Sequence, residues 1–194
     1  MGTLTFKESN HTYLLDGAIL PSVTTILRPL SNEIYNHIDP EILRFAADKG
    51  TKVHFATELY DTFGIYEIDE NLKGFLDAYI KFKRDYKVEV ISVEKRSYHH
   101  QLFYAGTIDR ILLINNKIVL VDIKTTNEIH ESLVSIQVSA YEQMECSNGE
   151  KIDEIAVLKL NKDGTYVFQY LNRSFDDFLA LYKVHMMIKK VKEK

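Results

Sequence analysis

The sequence has very little cysteine and no long apolar stretch. Its single cysteine, Cys146, cannot form a disulfide within the chain, and it cannot supply the thiolates of a four-cysteine metal site. No apolar run approaches the roughly 20 residues that a membrane-spanning helix needs, and no signal-peptide pattern follows Met1. The sequence therefore predicts a cytoplasmic protein that has no disulfide and no membrane partner.

The chain also lacks an excess of positive charge and any sequence feature that divides it into domains. It contains 24 Lys and Arg against 28 Asp and Glu, which gives a net charge of −4. Surfaces that bind phosphates need positive charge at least locally. No linker, repeat or low-complexity segment is visible, and 194 residues suit one domain. We expect a single domain over residues 1–194, with an N-terminal β-ribbon (1–20), a core (21–171) and a C-terminal helix (172–194).

A strong β-hairpin pattern is present between Tyr104 and Thr126. Alternating apolar residues lead into Asn115-Asn116, a pair that tolerates the positive φ angles of a tight turn. A nearly continuous apolar run follows at residues 118–121, as is typical of a strand buried on both faces. The pattern predicts two antiparallel strands in the interior of the fold.

Three charged residues interrupt this apolar hairpin: Asp109, Asp122 and Lys124. Because side chains alternate along a strand, Asp122 and Lys124 point to the same face. Asp109 and Asp122 are equidistant from the turn, so pairing about the turn places them opposite each other. Charges at such positions are costly unless they are paired or bind a metal. The sequence thus predicts a site at which two carboxylates and an ammonium group converge.

Three further motifs lie outside the hairpin: Gly50-x-x-x-His54, Glu94, and Gln137-x-x-x-Tyr141. In this order, around Asp109 and Asp122-Ile123-Lys124, they resemble the motifs of the PD-(D/E)XK nuclease superfamily, and within it the RecB-like and phage-type exonuclease branch. The resemblance extends from about residue 20 to residue 141. It implies an α/β fold with a restriction-endonuclease-like core, in which helices flank a central mixed β-sheet.

The resemblance also implies a metal site. Asp109 and Asp122 offer the hard oxygen ligands that Mg²⁺ or Mn²⁺ prefers, and the backbone carbonyl of Ile123 is implied as a further ligand. Lys124 would position or activate the attacking water. His54 would be a ligand that suits Mn²⁺ better than Mg²⁺, because imidazole is a softer donor. One or two ions are expected. The single cysteine excludes the four-cysteine iron–sulfur cluster that some RecB-like relatives carry.

A helical histidine can equally be structural, so His54 has two interpretations. Asp39-Pro40 is a typical helix start, and Gly50 is expected to end or break that helix before a second one at 51–63. His54 and Glu58 then share a face, and Glu58 is either a support for the site or simply exposed. If His54 binds metal, affinity should fall as the pH drops through roughly 6 to 7, near the ordinary histidine pKa.

Glu94, Gln137 and Tyr141 also have alternative interpretations. Glu94, near the end of a predicted strand at 88–98, either completes the metal site or pairs with Lys95 or Arg96. Gln137 and Tyr141 lie one turn apart on a predicted helix and would ordinarily be exposed polar residues. The resemblance implies instead that they orient the catalytic lysine or hold a DNA phosphate.

The activity implied by the resemblance is that of a Mg²⁺- or Mn²⁺-dependent deoxyribonuclease, an exonuclease of phage or bacterial DNA recombination or processing. DNA, duplex or single-stranded, would be the partner, and a recombination or single-strand-binding protein is a second candidate. A structure-specific or nicking endonuclease, a non-catalytic DNA-binding or assembly module, and a metal-binding regulatory protein remain alternatives. The acidic net charge is partly explained by carboxylates of the metal site, since bound divalent ions reverse the local sign.

Overall fold

A computed structural model describes residues 2–192 and shows two β-sheets and five α-helices within that range. None of these helices is both long and apolar enough to cross a membrane. The elements in chain order are β1 (Leu4–Lys7), β2 (Thr12–Leu15), β3 (Ala18–Leu20), α1 (Val23–Tyr35), α2 (Pro40–Phe63), α3 (Lys73–Tyr86), β4 (Glu89–Tyr98), β5 (Ala105–Ile114), β6 (Lys117–Lys124), α4 (Glu131–Ser147), β7 (Glu154–Leu160), β8 (Tyr166–Tyr170) and α5 (Phe175–Lys192).

The central sheet has five strands in the order β4-β5-β6-β7-β8. Only β6 and β7 are parallel, because helix α4 carries the chain from one to the other, and the other neighbours are antiparallel. The first three strands form a separate antiparallel sheet, which corresponds to the predicted N-terminal ribbon. The predicted fold class is confirmed: a mixed sheet with helices on its faces, consistent with a restriction-endonuclease-like core.

The predicted hairpin is confirmed, including its register. Asn115 and Asn116 have φ angles of 51° and 60°, as a tight turn between twisted strands requires. Pairing runs from Ile114–Lys117 to Arg110–Val121. The pairing stops one position before Asp109 and Asp122, where the Asp109 side chain accepts a hydrogen bond from the Ile123 amide. The same register, if continued, would set the two aspartates opposite each other.

Strand β6 lies in the middle of the core, with apolar side chains packed on both of its faces. Val119, Val121 and Ile123 pack against residues of α2 and α3 on one face. Leu120 packs with residues of α1, α4 and α5 on the other face. Burial of each such side chain contributes roughly 1.5–3 kcal/mol. The continuous apolar run is therefore explained by two helical layers that share one strand.

The expected break at Gly50 is wrong, because α2 is one continuous helix from Pro40 to Phe63. Asp39 caps its start through a side-chain hydrogen bond, and Gly64, with φ of 70°, ends it. Buried packing of Val53 against the sheet holds the second half in place. A glycine inside a helix costs only about 0.5–1 kcal/mol, which such packing offsets.

Gly50→Ala tests this continuity. A β-carbon at Gly50 would meet only the Thr125 hydroxyl, at 3.7 Å. The substitution should therefore raise the free energy of unfolding by about 0.5–1 kcal/mol, since alanine loses less backbone entropy in a helix. Gly74→Ala, a matched change in α3, should destabilise, because its β-carbon would lie 1.8 Å from the Lys162 backbone oxygen. Chemical denaturation of both variants measures the effect, and a loss of stability in Gly50→Ala would contradict a continuous helix.

Candidate metal centre

Three residues that are distant in the sequence converge between α2 and the middle of strands β4 and β5. His54 comes from α2, Glu94 from β4 and Asp109 from β5. His54 Nδ1 lies 3.5 Å from Glu94 Oε1 and 3.6 Å from Asp109 Oδ1. One donor atom from each residue lies within 4.8 Å of the other two. An imidazole and two carboxylates at this spacing form a donor set that suits Mg²⁺ or Mn²⁺.

Glu94 adopts a backbone conformation that is rare for its residue type. Its φ angle is 44°, in the left-handed region, although it lies inside a strand whose neighbouring residues pair regularly with β5. Such a conformation costs of the order of 1–3 kcal/mol in a residue other than glycine. The carboxylate accepts a hydrogen bond of 3.1 Å from Arg110 Nη1. The strained backbone thus belongs to a residue whose side chain approaches His54 and Asp109.

The structural alternative for Glu94, a pair with Lys95 or Arg96, is not what the structure shows. Lys95 Nζ lies 2.6 Å from Glu145 Oε2, and Arg96 Nη2 lies 3.3 Å from Glu8 Oε1. Both basic residues therefore have other acidic partners. Glu94 contacts only the arginine of the adjacent strand and His54 among the charged residues described.

The backbone of Ile123 orients two members of the cluster. Its carbonyl lies 3.1 Å from His54 Nε2, and its amide donates a hydrogen bond of 2.7 Å to Asp109 Oδ2. Because a carbonyl only accepts, Nε2 carries the hydrogen and Nδ1 faces the carboxylates. The carbonyl predicted as a metal ligand is thus engaged with the imidazole here. Its role as a ligand stays a prediction.

The charge state of His54 is set by its acidic neighbours. Burial alone lowers the pKa of the imidazole, but the charge of Asp109, the hydrogen bond and charge of Glu94, and the charge of Asp122 together raise this pKa to about 9. His54 is therefore an imidazolium at neutral pH when no metal is bound. It neutralises part of the negative charge that the cluster collects.

Asp122 and Lys124 form an ion pair beside the cluster, and helix α4 orients it. Lys124 Nζ lies 2.8 Å from Asp122 Oδ2 and donates to Gln137 Oε1 at 3.4 Å. The Gln137 amide donates to Asp122 Oδ1 at 3.2 Å and to the Tyr141 hydroxyl at 3.1 Å. Gln137 and Tyr141 therefore contact the pair or each other, as an orienting role would require.

Asp122 is almost fully buried, and Lys124 compensates its charge. Burial raises the pKa of its carboxyl group, Lys124 opposes this, and the charge of Asp109 adds to it. The Lys124 ammonium lies 2.8 Å from Asp122 Oδ2, so this oxygen already has a cation beside it. The imidazole of His54 and the carboxylates of Glu94 and Asp109 are the donor set that fits a divalent metal ion.

Two members of the cluster, His54 and Asp109, line one cleft of about 320 Å³ together with Asp122, Lys124 and Gln137. Most of the residues predicted for the site are thus brought together. Glu58 is not: it is half-buried, and within residues 2–192 it forms no hydrogen bond or ion pair and lies outside the metal cluster.

A fully buried arginine beneath the cluster was missed by the sequence analysis. Arg110 donates from Nε to Asp61 Oδ2 at 2.7 Å, from Nη2 to Thr57 Oγ1 at 2.8 Å, and from Nη1 to Glu94. The Tyr79 hydroxyl also donates to Asp61, at 2.5 Å. This network joins α2 and α3 to the strands that carry the metal cluster.

Two sequence signals could have pointed to this network. Arg110 is a charged residue next to Asp109 within an otherwise apolar strand, so it needed a buried partner. On α2, Val53, Thr57 and Asp61 follow one another at intervals of one helical turn and therefore lie on one face. The helical partners lie 31 to 53 residues from Arg110 in the sequence, so the pairing itself is visible only in three dimensions.

Comparisons with known proteins give remote similarities. No family model and no curated protein matches the chain. A crystal structure of SSO0001 aligns with a TM-score of 0.48 and 12% identity, over 86% of this chain and 74% of that one. The structure of the alkaline exonuclease LHK-Exo from Laribacter hongkongensis aligns with a TM-score of 0.38 and 15% sequence identity. The alignment covers 72% of this chain and 82% of that one. The structure of LHK-Exo in complex with dAMP aligns with a TM-score of 0.37 and 12% sequence identity, over 90% of this chain and 93% of that one.

Arg110→Ala should destabilise the protein by about 3–5 kcal/mol, because it leaves the buried carboxylate of Asp61 without its guanidinium partner. Arg84→Ala is the matched control: its side chain is 73% exposed and pairs only with the adjacent Asp85, so the change should stay within about 0.5 kcal/mol. Urea denaturation compares the two variants. Similar, small losses in both would show that the network does not hold the helices to the sheet.

Metal affinity should depend on pH over a higher range than an ordinary histidine predicts. An imidazolium cannot bind a metal, and the pKa of His54 is about 9, so protons compete with the ion below that pH. Mn²⁺ affinity should rise about tenfold per pH unit from pH 7 to pH 9 and then level off. The acidic surroundings of His54 thus predict the change at a higher pH than the 6 to 7 expected from the sequence.

Calorimetric Mn²⁺ titration in buffers of different ionisation enthalpy counts the protons released. Wild-type protein should release about one proton per ion at pH 7. His54→Asn should bind more weakly, with little pH dependence in this range. Binding without proton release in the wild type would contradict the assignment of Nδ1 as a ligand.

Proposed function

We propose that the chain is a metal-dependent nuclease that hydrolyses phosphodiester bonds in DNA. The observation that carries this proposal is that His54 and Asp109 of the His54–Glu94–Asp109 cluster line the same cleft as the Lys124–Asp122 ion pair. Phosphodiester hydrolysis needs an activated water, neutralisation of phosphate charge and stabilisation of the leaving alkoxide. The two parts of the cleft supply complementary components of that chemistry.

The cluster is the part that would hold the metal. His54 Nδ1 and one carboxylate oxygen each of Glu94 and Asp109 are the donors, with Asp122 Oδ2 beside them. A bound Mg²⁺ or Mn²⁺ supplies a Lewis acid for the phosphate and lowers the pKa of a coordinated water. The imidazole shifts the preference of this donor set toward Mn²⁺. Glu94, first considered a support, joins the ligands in this proposal.

Lys124 is the part that would act on the water and the phosphate. Burial lowers the pKa of its ammonium group, but the charges of Asp122 and Asp109 outweigh burial and raise it. Lys124 is therefore a fixed cation at neutral pH rather than a general base. It would hold the attacking water by donating a hydrogen bond and would stabilise negative charge as it builds up on the phosphate.

Gln137 and Tyr141 would position the lysine. Gln137 contacts both charged members of the ion pair, and Tyr141 accepts a hydrogen bond from the Gln137 amide. Burial and the charge of Asp122 raise the pKa of Tyr141 well above its ordinary value, so the phenol stays neutral. Tyr141 is buried behind Gln137, so its contribution would be to hold that amide in place.

The proposed mode of action is exonucleolytic, in phage or bacterial DNA recombination or processing. The order and spacing of the motifs support this choice. An endonuclease and a non-catalytic DNA-binding module use the same fold, so the assay must distinguish all three.

Purified protein should degrade DNA in the presence of Mg²⁺ or Mn²⁺ and should be inactive in EDTA, because the carboxylates of the cluster need the ion to act on a phosphate. Linear duplex, closed circular duplex and single-stranded DNA are compared over time on gels. Loss of the linear forms alone indicates an exonuclease, and nicking of the circle indicates an endonuclease. Folded protein that binds Mn²⁺ but cuts none of them would contradict catalysis.

Variants separate the two parts of the cleft. Asp109→Asn should lose both metal affinity and activity, whereas Lys124→Gln should keep metal affinity and lose about 100- to 1,000-fold in rate. Lys117→Gln is the control, because Lys117 lies at the opposite end of β6 and pairs with Glu154. Equal loss of metal affinity in Asp109→Asn and Lys124→Gln would contradict the separate roles.

A further inference from the structure

A larger groove of about 800 Å³ lies beside the metal cleft. It is bounded by the end of α1, the first half of α2 and the start of α4 together with the segment that precedes it. Its lining is mainly apolar and includes Tyr35, Ile42, Phe45, Ile129 and Leu133. Its size falls within the range of pockets that bind ligands.

The first half of α2 leaves large apolar side chains uncovered along this groove. Ile42 is 61% exposed and Phe45 is 64% exposed. The sequence pattern places them on the apolar side of the helix, which would ordinarily face a core. No segment within residues 2–192 buries them. Clustered apolar exposure of this kind is typical of a binding surface.

The groove is continuous with the metal cleft. Ala46, Lys124, Thr126 and Gln137 line both. A polymer with one phosphate at the metal cluster would therefore enter the groove with its next units without leaving the protein surface. The groove thus lies where the strand adjacent to the cut bond has to pass.

The charges of the groove suit an anionic strand. Its charged and titratable lining residues are Lys49, Lys124, His37, His130 and the single acid Glu128, besides the phenol of Tyr35, although the whole chain has a net charge of −4. Lys49 Nζ donates to the Thr125 carbonyl at 2.9 Å, which holds it at the boundary with the cleft. Two lysines thus face a single acid in the lining of the groove.

Aromatic rings provide surfaces for bases. The rings of Tyr35 and His130 meet edge to face, with centroids 5.1 Å apart, and Phe45 lies exposed in the same lining. Single-stranded nucleic acids bind through a basic groove combined with aromatic side chains on which bases stack. In a duplex, neighbouring base pairs cover these faces.

We propose that this groove binds the unpaired bases of the DNA strand that is cut, so that the enzyme acts on single-stranded DNA or on an unwound end. The inference rests on the proposed function and specifies its substrate. An apolar peptide could also cover Ile42 and Phe45. It would not account for the shared lining with the metal cleft or for the lysines at the boundary.

The test compares two fluorescent oligonucleotides of the same length, oligothymidine and an abasic strand with the same phosphates. Binding is measured by anisotropy with Ca²⁺ in place of Mg²⁺ or Mn²⁺. Wild-type protein should bind oligothymidine about tenfold more tightly than the abasic strand, because only the former offers faces for stacking. The variant Ile42→Ala/Phe45→Ala should lose about this factor for oligothymidine and keep its affinity for the abasic strand.

Phe63→Ala is the matched control, because Phe63 is 70% exposed on the same helix but lies at its far end, outside the groove. It should bind both strands as the wild type does. Equal wild-type affinity for the two strands, or an equal loss in Phe63→Ala, would overturn the inference. If the protein nevertheless cuts DNA, only the groove assignment fails. If it neither cuts nor binds DNA, the proposed function itself fails.

Discussion

The site depends on the compensation of negative charge that the fold brings together between α2 and the central sheet. Four carboxylates converge there, and each has a cation within ion-pair distance; the acids are Asp61, Glu94, Asp109 and Asp122, and the cations are Arg110, Lys83, His54 and Lys124. Carboxylates in such surroundings are costly without partners. His54 and Lys124 line the cleft, whereas Arg110 and Lys83 do not. The ion pairs of Arg110 and Lys83 hold the helices on the sheet, and those of His54 and Lys124 remain available for a ligand.

This division gives a physical basis for the proposal that one arrangement is stable and also binds a metal. The proton on His54 occupies the side of the imidazole that faces Glu94 and Asp109, so it compensates the same charge that a divalent ion would. Release of that proton lets a cation take its place without leaving the carboxylates unpaired. The left-handed conformation of Glu94 is tolerated because the buried guanidinium of Arg110 holds its carboxylate in place. The same few side chains therefore stabilise the fold and form the proposed metal site.

Local sequence rules predicted much of this arrangement, and contacts between distant segments account for the rest. The turn at Asn115-Asn116 and the alternation along β6 are local, so the opposition of the two aspartates could be predicted. The continuity of α2 through Gly50 could not, because packing on the sheet overrides the weak preference of one residue. The exposure of Ile42 and Phe45 could not be predicted from the sequence either, since the pattern of an apolar helix face is the same whether that face packs on a core or binds a ligand. The partners of Arg110 come from three other elements, so local patterns can indicate that Arg110 needs a buried partner but not which residues supply it.

The most direct measurement is the anomalous X-ray difference map of crystals soaked in Mn²⁺. We expect a peak within bonding distance of His54 Nδ1 and of one carboxylate oxygen each from Glu94 and Asp109, with His54 Nε2 still donating to the Ile123 carbonyl. That result would show that the acidic cluster is a metal site and that its histidine exchanges a proton for an ion. A Mn²⁺ peak at another place, with none at these three residues, would contradict the metal centre and the nuclease function proposed from it.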